Sequence, residues 1–211
     1  MTLLNILYYS ILLSALIIAG YVWKKLRGNF KLLGLFVGFT LIIEIAALYI
    51  AKNYGANEYI YIIYDLINIA FITWLQSSFL RRRNFKKITF SIGACLIIAL
   101  IFNIISGKYL TYNNIFTCIT NVSFIIYVLV YLLEKIILPA ETRLTAMPEF
   151  YFSIILLFFC SVSILYWVAT NYLKDSNIKQ FATSMYYIFL FSNYLYYLGM
   201  GFVFYKEAKM N

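Results

Sequence analysis

The chain reads as an all-α protein, a polytopic membrane bundle of seven transmembrane helices. Three observations predict it. The 211 residues are 64% hydrophobic and 12% charged, far below the charged share of an ordinary soluble domain. The apolar residues gather in seven runs of roughly 20, the length of helix that crosses a hydrocarbon core about 30 Å thick. Within each run they lie on every side, as lipid-packed helices require, where a barrel strand would alternate.

The runs are Leu3–Trp23, Leu32–Ala51, Tyr59–Leu80, Ile88–Ser106, Asn113–Leu133, Phe150–Leu173 and Phe181–Tyr205. Short linkers join them, as expected for antiparallel neighbours. A chain of this length has room for a single integral membrane domain, residues 1–211. Its first five residues carry no Lys or Arg and no small-residue cleavage pattern, so the first run is expected to stay as a helix.

The formal charge of +9 raises the question of nucleic acid, but the bases stand in clumps between the apolar runs. That placement points to lipid headgroups and to membrane orientation. Lys24, Lys25, Arg27 and Lys31 follow the first run, and Arg81, Arg82, Arg83, Lys86 and Lys87 follow the third. Lys135 and Arg143 follow the fifth, and Lys206 and Lys209 the seventh. The alternate linkers hold only Lys52, Lys108, Lys174 and Lys179. Thirteen bases against four place the first set in the cytoplasm, with the N-terminus outside and the C-terminus inside. Trp23 and Trp167, at run ends, suit interfacial anchors. The cluster Arg81–Lys87 is expected to lie against anionic headgroups. Pro139 and Pro148 break helix in the longest inner linker, which is read as an interfacial turn. Abundant Ile, Phe, Tyr, Asn and Lys suggest an AT-rich, bacterial genome, and so a bacterial cytoplasmic membrane.

An internal repeat is suggested where the second and sixth runs end. Leu48–Tyr54 and Tyr166–Tyr172 match at Ala51/Ala169, Asn53/Asn171 and Tyr54/Tyr172. The next helix in each case carries an asparagine, Asn68 or Asn193. This fits two parallel three-helix units with the fourth helix as linker, a three-plus-one-plus-three plan.

Histidine is absent, and the three cysteines, Cys95, Cys118 and Cys160, have no Cys-x-x-Cys spacing. The usual zinc, haem and iron–sulfur ligand sets are therefore missing, as are His-based nucleophile systems. No nucleotide-binding or hydrolase motif occurs. No cofactor and no enzymatic activity are expected.

Two carboxylates, Glu44 and Asp65, fall inside apolar runs; the other six acidic residues read as connector residues. An ionisable group among lipid tails costs from about 3 to well over 10 kcal/mol, so such residues usually face a cavity or a partner. Counted inward from the outer helix ends, both lie about 9–12 Å deep on consecutive antiparallel helices. Asn68 and Tyr61 flank Asp65 at helical spacing, and Asn121, Ser163 and Asn193 fall in the same half of the bundle. The reading is an outward-facing polar pocket of Glu44, Asp65, Asn68, Asn121, Asn193 and Tyr61, with Tyr64, Tyr186 and Tyr197 as aromatic walls. No base lies at that depth, so the carboxylates are expected to share a proton or hold a cation or amine. The plain alternative for each asparagine is a helix-to-helix hydrogen bond. The polar residues of the inner half are mainly Gln76, Ser77 and Ser78. Gly34 and Gly38, and Gly199 and Gly201, would let helices approach closely.

The expected function is a receptor-like subunit that senses a small or lipid-like ligand and acts through a separate signalling partner. A small transporter, proton-coupled through Glu44 and Asp65, is the alternative, and an intramembrane lipid-modifying enzyme comes third.

Overall fold

The computed structural model describes residues 3–55, 57–107, 109–138, 143–173 and 179–210. Among them it contains seven long helices and no strand: α1 (Leu3–Tyr21), α2 (Gly28–Tyr54), α3 (Glu58–Phe79), α4 (Arg83–Ile105), α5 (Tyr109–Ile137), α6 (Pro148–Leu173) and α7 (Lys179–Met210). Six of these, α2 to α7, are long and apolar enough to cross a membrane; α1 contributes a shorter apolar stretch, Ile6–Tyr21. Large apolar side chains cover the outward faces, among them Ile98, Phe102 and Leu165, each about two-thirds exposed. A surface of that kind is at rest only in lipid. The chain is a multi-pass membrane helix bundle.

Several helices outrun the apolar segments that mark them in the sequence. α2 begins four residues before Leu32, α5 continues to Ile137 and α7 to Met210. A helix does not need apolar side chains to continue into the interface, where Lys and Arg lay their stems along it and lift their charges to water. This corrects the reading of the acidic residues. Glu134 and Glu207 are helical and almost wholly buried, whereas their position at the edge of an apolar run reads as connector. Turns close with standard chemistry: Gly55 and Gly107 take positive φ at the ends of α2 and α4, and Pro148 opens α6. Pro139, Lys108, Lys174 and the side chains of Asn171, Tyr172 and Lys179 lie outside the described residues, so the suggested repeat is seen only on its first side.

The packing divides the chain into two compact units. The first comprises Met1–Asn68, Thr142–Phe152 and Tyr194–Asn211; the second comprises Ile69–Glu141 and Ser153–Asn193. In the first unit α1 packs on α2. A Cβ added at Gly34 would stand 3.3 Å from the Ala19 Cβ, and one at Gly201 would stand 3.0 Å from Ile18. Both glycines are thus points of close helix approach. In the second unit α4 packs on α5, and Gly93 leaves room for Thr73, which would lie 2.5 Å from an added Cβ. Thr73 and Tyr127 share a hydrogen bond of 3.2 Å, joining α3 to α5.

Candidate functional site

The buried face of α2 recurs at Phe30, Leu33, Val37, Thr40 and Ala47, and that spacing carries Glu44 inward between Thr40 and Ala47. On α1 the positions Tyr8, Leu12, Ala15 and Ala19 share a face in the same way. Packing these faces brings the Tyr8 hydroxyl to Glu44, donating to Oε1 at 3.4 Å. The first turns of α3 supply Tyr61, whose hydroxyl donates to Oε2 at 3.5 Å. α7 completes the surround. Tyr197 sits edge-on to Tyr8 at 5.7 Å, and Tyr194 anchors the start of α1 by donating to the Leu4 carbonyl at 2.8 Å. Tyr64 stacks on Phe36 and Phe39, and its hydroxyl lies against Thr40 and Tyr197. One carboxylate therefore stands in a cage of tyrosines contributed by three other helices of the first unit.

Both tyrosine contacts to Glu44 are long for O–H···O bonds, which cluster near 2.7–2.8 Å. An ionised carboxylate offers about four acceptor positions, so two loose donors leave it poorly satisfied. Among the described residues Glu44 has no ion pair, whereas Arg27 pairs with Glu149 and with Glu207. No group of three or more His, Cys, Asp or Glu suited to a metal occurs among the described residues.

Of the residues expected to form the pocket, the structure brings Glu44 and Tyr61 together. Asp65 is half-buried one turn beyond Tyr61 and acts electrostatically on Tyr64; it is not hydrogen-bonded to Glu44. Asn68 is half-buried on the same helix. Asn121 and Asn193 belong to the second unit and serve helix structure there. Asn121 donates to the Thr117 carbonyl at 2.9 Å and to Ser163 Oγ at 3.1 Å, tying α5 to α6. Asn193 donates to the Phe189 carbonyl at 2.9 Å. Tyr186 is exposed, and Gln76 is fully buried with neither amide atom hydrogen-bonded. Comparison with protein-family models, with curated proteins and with solved structures finds no match to this chain.

Sequence reasoning missed Tyr8, Tyr9, Thr40 and Tyr194 around Glu44. Only the α2 face could have revealed one of them, since Thr40 precedes Glu44 by one turn. It also missed two buried carboxylates at the helix ends that carry the basic linkers. In the first unit the Arg27 guanidinium grips Glu207 with a two-pronged contact, Nε to Oε1 at 2.6 Å and Nη2 to Oε2 at 2.8 Å. The Arg27 backbone N–H donates to the same carboxylate at 3.2 Å, and Nη2 also reaches Glu149 at 2.6 Å. The hydrogen bond that Arg27 donates to Glu207 raises Arg27 above its already high ordinary pKa. In the second unit Glu134 accepts the backbone N–H groups of Arg81 and Arg82 at 2.8 and 2.6 Å, capping the start of α4. Both carboxylates sit at helix N-termini, where the unpaired N–H groups and the helix dipole favour negative charge.

Proposed function

We propose that this chain is the ligand-sensing membrane subunit of a signalling pair, binding a small or lipid-like molecule in the outer half of the bilayer. The observation that carries the reading is Glu44, a carboxylate within an apolar helix with two long tyrosine contacts and no cation among the described residues. A group so costly to keep is usually kept for binding or proton transfer. With the basic linkers on the cytoplasmic side, the tyrosine cage lies in the outer half. The helix ends on the other side are held by Arg27, Glu149 and Glu207. A signal then leaves through the linker at Arg81–Arg83, where Glu134 fixes the backbone of Arg81 and Arg82 and all three side chains are exposed to headgroups or a partner protein.

Reconstitution tests the reading against transport. Proteoliposomes of the purified chain under an imposed proton gradient should show no proton-coupled flux, and affinity-tagged chain should retain a partner from its native membrane. Proton flux that disappears in Glu44→Gln or Asp65→Asn would replace the sensor with a transporter.

A further inference from the structure

An open groove of about 600 Å³ runs between α1 and α2 in the first unit. Its walls are Ile6, Tyr9, Ser10 and Leu13 on one side and Leu41, Ile45 and Leu48 on the other. Each wall spans eight residues of helix, so its ends are roughly 10 Å apart at 1.5 Å rise per residue. Ile6, Leu13, Ile45 and Leu48 are exposed, so the groove opens to the surrounding lipid. Its volume is in the range of ligand sites, and its walls are almost entirely apolar.

By itself such a groove would hold any hydrocarbon chain. Glu44 makes it selective. Glu44 follows Leu41 by three residues and precedes Ile45 by one on α2 without itself lining the groove, and Tyr9 both lines the groove and falls within electrostatic reach of Glu44. The rings of Tyr8, Tyr9 and Tyr61 stand about the carboxylate. Tyrosine faces attract cations, and ring hydroxyls together with a carboxylate can receive N–H donors. The arrangement therefore has an apolar slot for a chain, an anion on one of the two helices that form it, and Tyr9 shared between slot and anion.

We propose that the groove takes an alkyl chain whose head is a cationic amine, with the amine at Glu44 inside the tyrosine cage. The occupant reaches the site laterally from the membrane, because the groove opens on the lipid side. Its ammonium supplies the countercharge that no described residue provides. A phosphate- or carboxylate-headed chain would be repelled, and a neutral alcohol of equal length would gain only the groove. The inference rests on the reading of Glu44 as the ligand-holding group and adds the chemistry of the ligand.

Binding of radiolabelled dodecylamine to the full chain in zwitterionic lipid nanodiscs, corrected for partition into empty nanodiscs, tests it. Dodecanol and dodecanoate serve as competitors. The amine should be retained about tenfold or more over the alcohol, the scale of one hydrogen bond to a charged group. In Glu44→Gln that preference should vanish while weak alcohol binding remains. Leu13→Trp, a substitution on the lipid-facing wall, fills the groove and should lower amine retention with Glu44 intact. It keeps the test open should Glu44→Gln not fold. Equal retention of amine and alcohol by the wild-type chain, unchanged preference in Glu44→Gln, or unchanged retention in Leu13→Trp would each overturn the proposal. The flux assay fails separately: amine binding with proton flux would keep this site and remove the sensor.

Discussion

At the scale of single residues, Glu44 and Glu207 show what a sequence can reveal about a buried charge. Glu44 was legible because it interrupts a run of apolar residues, and its inward face follows from the spacing of Val37, Thr40 and Ala47. Glu207 was not legible, because a carboxylate beside Lys206 at the edge of an apolar run looks like any solvated tail. The tyrosines of the cage were hidden differently: 21 are spread over the chain, and only packing selects Tyr8 from them. The Arg27 latch makes a definite prediction. Glu207 raises the pKa of Arg27, and a raised pKa on a cation contributes stability that is whole below the unfolded value and lost only as pH rises through the folded one. The latch should therefore hold through mildly alkaline pH. Arg27→Lys gives up the two-pronged grip and brings in a group that titrates near about 10.4. The gap in melting temperature between the variant and wild type should widen as pH approaches that range; a constant gap would show that charge at this position is irrelevant. At Glu134 the prediction is structural. Glu134→Ala strands two backbone donors and should cost about 1–3 kcal/mol, with Glu134→Gln closer to wild type. With Cys95 and Cys118 replaced by serine, thermal unfolding followed by a thiol-reactive dye on buried Cys160 measures both.

At the scale of elements, the helices were readable from hydropathy alone, but their ends were not. The apolar run marks where lipid must be met, and the helix continues as far as caps and interfacial side chains sustain it. Asn121 was legible as polar in an apolar run, yet its role in joining α5 to α6 depends on Ser163, 42 residues away. Close contacts are equally invisible before packing is known. Gly93 is the one glycine of α4, without the second glycine that marks the Gly34 and Gly38 pair, yet a Cβ there would stand 2.5 Å from Thr73. Gly93→Ala should force Thr73 aside and break its bond to Tyr127, at a cost of about 1–3 kcal/mol. Thr73→Ala, by removing the offending atoms, should recover part of that loss in the double variant. Purely additive melting shifts would mean that the two helices do not meet there.

At the scale of the whole molecule, the expected orientation rests on thirteen bases against four, a bias carried by linkers and not by any fold feature. Labelling checks it. In a background with Cys95, Cys118 and Cys160 replaced by serine, Asn53→Cys should react with a membrane-impermeant maleimide on intact cells, and Arg83→Cys only after permeabilisation. The reverse pattern would turn the tyrosine cage toward the cytoplasm and deprive the sensor reading of its outside ligand. What the sequence could not show is the division of the expected pocket. Glu44, Tyr61, Asp65 and Asn68 fall in one compact unit, and Asn121 and Asn193 in the other. Equal depth along seven helices is a one-dimensional criterion, and helix rotation decides which residues meet.

The two buried carboxylates also set an order of events during synthesis. Glu134 follows Arg82 by 52 residues, so at roughly 5–20 residues per second its cap on α4 is available within about 3–10 s. Glu207 follows Arg27 by 180 residues, and Tyr194 follows Leu4 by 190, which leaves α1 and α2 without these partners for roughly 10–40 s. That cap within the second unit can thus form while the ribosome is still at work. The first stays open until the end of α7 emerges, its exposed arginine and carboxylates waiting in the membrane. For that interval the N-terminal helices are the natural clients of whatever insertion machinery shelters unpaired polar groups.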